Sequence, residues 1–345
     1  MVVYNVYLFF SIFLVFFSSN WFFIWVCLEL STLSLVVLLS YYRTPRSTEA
    51  TVKYFIVQAV AGVVLLLGIL VRCFSLNVGF SLFESYSGFS YMLILTGLFV
   101  KIAVVPNPFW FVDVVGGLSL VRGFYVVVVS KIVPVYLYSL VVSDLFYWVF
   151  VLVGLSSSFF GTVFGVNQTS LRKIISLSSV SHLGWMVVSF SVLSFYECFF
   201  VFLLYVVMVL PLFVVGHYWV VNNVGKVGNL YHNFFVVLVL LVSLLSLAGF
   251  PPLIGFFYKW VMFFGLVMSG SYLVSGVLVM FSLVSLYFYL LVCYNLYGLY
   301  LPNLKYNVFD SYFLSVKGLL LVVSSFIVVV VFIFYVGPVF VFLFV

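Results

Sequence analysis

The sequence predicts an all-α polytopic membrane protein, and three observations carry that prediction. Of its 345 residues, 67% are hydrophobic and only 6% are charged, against roughly 25% charged in soluble domains. Apolar runs of about 20 residues, the length that crosses a bilayer as a helix, recur along the chain. The strict alternation over about ten residues that marks an outer-membrane barrel is absent.

Eleven spans are expected, near 2–18, 21–41, 51–71, 89–115, 117–142, 146–165, 171–193, 196–221, 232–268, 271–296 and 314–343. The N-terminal MVVYNVYLFF carries no basic n-region and no Arg/Ser-rich presequence, so the first span reads as retained. RTPRSTEA (43–50) is expected to be a loop that caps the third helix through Ser47 or Thr48. The fourth span is interrupted at Pro106 and Pro108 and the ninth at Gly249–Pro252, because each proline deletes a backbone hydrogen bond. Helices one to five (1–142) and six to ten (146–296) then form two five-helix repeats within one membrane domain, followed by a C-terminal helix at 314–343. Five is odd, so the second repeat enters from the opposite side. Inverted repeats with paired discontinuous helices place ion sites near the midplane in transporters.

Charge sets the orientation. With eleven spans, Arg43, Arg46, Lys53, Arg122, Arg172, Lys173, Lys226, Lys305 and Lys317 fall on the side of the N-terminus, and Arg72 alone falls opposite. The positive-inside rule therefore puts the N-terminus in the matrix or cytoplasm and the C-terminus across the membrane. Three basic residues remain, Lys101, Lys131 and Lys259, all within spans. Among the acids, Glu84, Asp144, Asp310, Glu49 and Glu197 sit in or near loops, and Asp113 ends the fourth span. Glu29 lies about 12 Å into the second at 1.5 Å per residue.

A lysine at mid-span costs about 2.5–3.5 kcal/mol on insertion scales. Burial disfavours its ammonium and a nearby carboxylate favours it again, an opposition suited to proton transfer. Lys101 is expected to hold its proton while Glu29 is close and to release it toward Lys131 when the pair opens. Broken backbone beside Lys101 and Lys259 supplies free carbonyls and room for water. Plainer readings stand alongside. Lys131 fits a snorkelling lysine or a structural ion pair, and Glu29 fits a packing partner. His182, in SSVSHLGW, fits a helix–helix contact eased by Gly and Ser as well as a relay.

Cys27, Cys73, Cys198 and Cys293 are isolated and form no CxxC, so no zinc site, iron–sulfur cluster or disulfide framework is expected. His217 and His232 sit at loop edges and only His182 lies within a span, which argues against a haem clamp. Redox chemistry linked to this chain is therefore expected in other polypeptides. Phe, Val, Leu, Tyr and Gly abound while Gln, at Gln58 and Gln168, is scarce. The abundant residues have codons rich in T and G, which fits a cytosine-poor organellar genome.

Four motifs carry a resemblance. PRSTEATVKYFIVQAVAG (45–62), VKIAVVPNPFWFVDVVGGLSL (100–120), GVNQTSLRKIISLSSVSHLGWM (165–186) and LLSLAGFPPLIGFFYKW (244–260) resemble, in order and spacing, segments of the NADH-ubiquinone oxidoreductase chain 2 family of animal mitochondria. Residues 195–230 and 270–345 match it only in hydrophobic character. The chain departs from the family pattern at Pro108, where His is usual, at Asp113, where Glu is usual, and at Val112 and Tyr258, where Pro is usual.

The resemblance implies a core proton-translocating subunit of respiratory complex I in the mitochondrial inner membrane. It would be part of an H+-translocating NADH:ubiquinone reductase without binding a cofactor itself. NADH, FMN, iron–sulfur clusters and ubiquinone would belong to other subunits. Neighbouring antiporter-like and small membrane-arm subunits would be its partners, together with membrane lipid such as cardiolipin, and no nucleic acid. Glu29 would pair with Lys101, Lys131 would be the central relay and Lys259 would hand protons to the outer exit. A free-standing cation/proton antiporter of the same superfamily needs the same lysines and broken helices. A structural spacer held together by its lysines is the third reading.

Overall fold

The structure is a computed structural model. It describes residues 2–41, 44–77, 79–82, 86, 88–143, 146–219 and 234–300, without the side chains of 216–219, 234–237 and 295–300. The expected C-terminal span, Arg43, Glu84, Asp144, Lys226, His232, Lys305, Asp310, Lys317 and the side chain of His217 lie outside that description.

The described residues form twelve helices: α1 (Val2–Phe17), α2 (Trp21–Leu39), α3 (Pro45–Leu76), α4 (Gly88–Ile102), α5 (Phe109–Gly117), α6 (Leu120–Val141), α7 (Tyr147–Val166), α8 (Leu171–Ser189), α9 (Phe195–Trp219), α10 (Phe234–Ala248), α11 (Ile254–Met268) and α12 (Tyr272–Tyr300). Six of them, α2, α3, α6, α7, α9 and α12, are long and apolar enough to cross a membrane, and α1, α4, α10 and α11 are shorter apolar helices. The chain divides into two compact units, Met1–Ser157 and Ser158–Val345.

In the first unit α3 packs along α4, and α2 packs against α1 and α3. Helix α3 begins earlier than the expected 51 and uses a different cap. Thr44 is the N-cap, its side chain accepting from the Ser47 N–H while the Ser47 hydroxyl accepts from the Thr44 N–H, with Pro45 at the first turn. Ser47 is thus the reciprocal partner, and Thr48 donates to the Pro45 carbonyl. At the other end of α3, Arg72 is fully buried and donates to the Ser81 carbonyl at 2.7 Å, its guanidinium 4.3 Å over the Tyr86 ring. That loop folds onto the start of α2 through Trp21 N–H to Phe80 O and Leu82 N–H to Ser19 O. Arg122 is buried as well and donates to the Leu39 carbonyl, covering the C-terminus of α2. Two basic residues that read as loop charges are therefore buried parts of helix ends.

Both predicted interruptions are present, and both helices stop before their prolines. At the end of α4, Ala103 N–H donates to Val100 O and Val104 N–H to Phe99 O, with Ala103 at φ +71°. At the end of α10, Gly249 N–H donates to Ser246 O and Phe250 N–H to Leu245 O, with Gly249 at φ +86°. This is one C-terminal motif used twice: a left-handed residue reverses the backbone so that two orphan carbonyls find donors. Pro108 then precedes α5, and Leu253 caps α11. Helix α6 contains a π-turn at Tyr125–Val129 that nothing in its run of valines announces.

In the second unit α8 is buried at every residue from Ile174 to Ser189. Its polarity is absorbed locally, since Ser176, Ser178, Ser179 and Ser181 each donate to a carbonyl three residues back. A serine-rich helix can be enclosed when its hydroxyls bond to its own backbone. Helices α9 and α11 pack against it and against each other, α10 packs against α9, α11 and α12, and α12 packs against α11.

Candidate proton-handling sites

The first site forms where α2, α3 and α4 meet. Lys101 lies in the last turn of α4 with its side chain 1% exposed, and Glu29 on α2 has a side chain 26% exposed. Lys101 Nζ donates to Glu29 Oε1 at 3.2 Å. The other carboxylate oxygen is 3.4 Å from the Thr32 hydroxyl, which also donates to the Glu29 carbonyl. The pairing read from the sequence is thus present as a direct contact. A buried ammonium needs such a partner, because removing one member of a buried pair costs about 3–5 kcal/mol.

Lys131 follows the π-turn of α6 and is fully buried, its ammonium 3.7 Å from the centre of the Phe111 ring. Phe111 comes from α5, the short helix that resumes after the break at 103–108. The break therefore delivers an aromatic face to the second lysine, a cation–π contact worth about 2 kcal/mol when desolvated. Phe109-Trp110-Phe111 is visible as an aromatic string in the sequence, but the aim of Phe111 at Lys131 depends on where α5 restarts. Asp113, on the same short helix, is exposed and meets Lys53 at 3.4 Å, and Lys53 also pairs with Glu49 at 2.8 Å.

The second unit holds the other two candidates. Lys259 on α11 reaches back across the second break, and its Nζ donates to the Ala248 carbonyl at 2.8 Å. That carbonyl ends α10, where the partial negative charge of a helix C-terminus favours a cation. His182 on α8 is 4% exposed, with the Tyr258 ring centred 5.5 Å away and the Tyr205 ring 6.0 Å away. The Tyr258 hydroxyl donates to the His182 backbone carbonyl at 3.3 Å. In the sequence Tyr258 stands out only as a departure from the family pattern, and in the structure it touches the histidine-bearing helix. Within the described residues no three His, Cys, Asp or Glu side chains are grouped to hold a metal ion.

Residues 18–288 match the family described as NADH:quinone oxidoreductase/Mrp antiporter, TM. The chain is 34% identical over 279 residues to NADH-ubiquinone oxidoreductase chain 2 of Patiria pectinifera, covering 81% of this chain and 78% of that one. Among solved structures, a chain of respiratory complex I from Thermus thermophilus superposes with a TM-score of 0.81 at 23% identity, covering 95% of this chain and 76% of that one. A chain of the Mrp complex from Dietzia sp. gives a TM-score of 0.77 at 19% identity, covering 84% of this chain and 59% of that one. The two structures share the antiporter-like helical fold, and the family match over residues 18–288, together with 34% identity over 81% of the chain, assigns the chain to the NADH-ubiquinone oxidoreductase chain 2 family.

Proposed function

We propose that the chain is a core proton-translocating subunit of the membrane arm of respiratory complex I in the mitochondrial inner membrane. It converts free energy from NADH:ubiquinone electron transfer, carried out in other subunits, into proton movement. The observation that carries this reading is the Glu29–Lys101 contact, an ion pair at 3.2 Å whose lysine is 1% exposed and adjoins a helix break. Each charge moved against the potential costs about 2.3 kcal/mol per 100 mV, so an ungated lysine path would dissipate the gradient. Opening of the Glu29–Lys101 pair is the gate. Lys131 is the central relay, Lys259 passes protons to the outer exit, and His182 is a further relay candidate.

The likeness of the two helix breaks supports a pair of five-helix inverted repeats, 1–142 and 146–296, within an eleven-span chain. The N-terminus lies on the matrix side and the C-terminus faces the intermembrane space. NADH, FMN, iron–sulfur clusters and ubiquinone are held by other subunits. Partners are adjacent antiporter-like and small membrane-arm subunits, with anionic lipid such as cardiolipin at the basic matrix loops.

The test is Lys101→Met in inner-membrane vesicles, with NADH-driven proton translocation normalised to complex content on a native gel. Translocation is expected to fall at least about a hundredfold, the lower range for loss of a proton-transferring group. A variant that pumps normally refutes the relay. Migration of the unsubstituted chain as a small species with sodium-dependent proton flux would favour the free-standing antiporter.

A further inference from the structure

Helix α2 grips one residue of α3 twice. Trp25 Nε1–H donates to the carbonyl of Gly62 at 2.9 Å. One turn along α2, on the same face, the carboxyl group of Glu29 lies over the Gly62 Cα. A methyl group added at Gly62 would overlap Glu29 Oε1 and stand 2.9 Å from its Cδ and 3.5 Å from Oε2. Those carboxyl atoms are the three nearest neighbours such a methyl would have. The space left by the missing side chain is filled by the acid itself. The overlapped oxygen is also the one that accepts from Lys101, while Oε2 faces Thr32.

We infer that Gly62 is a positioning residue for the gate, its bare Cα being the seat that holds the Glu29 carboxylate within hydrogen-bond reach of Lys101. The inference rests on the Glu29–Lys101 reading above. A side chain at this position drives Oε1 off its seat. Lys101, 1% exposed and fixed in the last turn of α4, does not follow it. The carboxylate then loses its contact although neither partner of the ion pair has changed. Gly62 thereby differs from a glycine that only lets two helices approach, because what a methyl meets is a functional group and not the opposing backbone. Glu29→Asp withdraws the carboxyl group by one methylene and makes room for that methyl.

The experiment compares Gly62→Ala, Glu29→Asp, the double variant and Lys101→Met in the assembled complex. Each is scored for NADH-driven proton translocation per assembled complex. Gly62→Ala is expected to lower translocation on the order of tenfold, as loss of reacting geometry does, and Glu29→Asp in that background is expected to restore it severalfold. Recovery by a shortened acid is not available to a glycine whose added methyl would meet only the opposing backbone. Normal pumping by Gly62→Ala, or a double variant no better than Gly62→Ala alone, overturns the inference. If Gly62→Ala fails to assemble, the readout becomes the amount of complex recovered by adding Glu29→Asp, and no recovery overturns it equally. Normal pumping by Lys101→Met removes the underlying reading instead, so the two failures are told apart.

Discussion

Gly249→Ala carries two separable costs, and both follow from the geometry at the second break. The residue sits at φ +86°, where an L side chain costs about 1–2 kcal/mol. The new Cβ would also stand 3.0 Å from Lys259 Nζ, 3.1 Å from Cδ and 3.2 Å from Cε. The lysine must shift, which loosens its 2.8 Å bond to the Ala248 carbonyl, and a hydrogen bond to a charged group contributes about 1.5–3 kcal/mol. With part of that bond lost, the sum is roughly 2–4 kcal/mol. In a Lys259→Met background only the backbone share, about 1–2 kcal/mol, remains. The first break provides the converse, since Ala103 already occupies the same left-handed position at φ +71°. Ala103→Gly relieves about 1–2 kcal/mol of strain against about 0.5–1 kcal/mol of added chain entropy, for a small net gain. Stepwise heating of membranes, followed by a native gel stained for NADH dehydrogenase activity, reads all four variants. Gly249→Ala should inactivate several degrees early, less so beside Lys259→Met, and Ala103→Gly should inactivate no earlier than the parent. Equal heat stability of Gly249→Ala, or early loss in Ala103→Gly, refutes the shared cap geometry.

Phe111→Leu keeps most of the buried volume but removes the ring face beneath Lys131, a contact of about 0.5–2 kcal/mol. Translocation per assembled complex should fall while complex content is kept, and an unchanged rate would reduce the ring to packing. Thr44→Ala deletes one half of the capping box on α3, a loss of about 1 kcal/mol. Heat stability should drop slightly with translocation per complex unchanged, and a selective loss of translocation would contradict a purely structural cap.

What could be read from the sequence was whatever stands out against an apolar background. Lys101, Lys131, Lys259 and Glu29 are conspicuous because so few charges occur, and the closely spaced Pro106/Pro108 and Pro251/Pro252 mark both breaks because each proline deletes a ladder bond, whereas the single Pro134 and Pro211 lie inside α6 and α9. The N-cap of α3 lies three or four residues before the expected Ser47 or Thr48, and Pro45 at the first turn is the signal that favours Thr44. Arg72 and Arg122 read as loop charges because hydropathy cannot tell a solvated arginine from one spent on a carbonyl. Other features leave no trace in one dimension. Ala103 carries no sign of a positive φ, and the π-turn lies in an ordinary valine run. Gly62 is one of 23 glycines, and its meaning appears only when Glu29 is seen against it.

The three lysines meet the cost of burial with three kinds of partner, and the differences bear on where the proposed relay is controlled. Lys101 has a carboxylate, Lys131 has the face of a phenyl ring, and Lys259 has the carbonyl that ends α10. All three stabilise an ammonium, by a full charge, a quadrupole or a helix terminus. A ring face and an amide carbonyl are not bases at neutral pH, whereas a carboxylate is. Of these three contacts only the first can exchange a proton with its lysine. It is also held from several sides, with Thr32 on one oxygen, Lys101 on the other and Gly62 beneath. Control exerted by small movements between α2, α3 and α4 would act at this contact first, because a displacement that a ring face tolerates is enough to break a hydrogen bond.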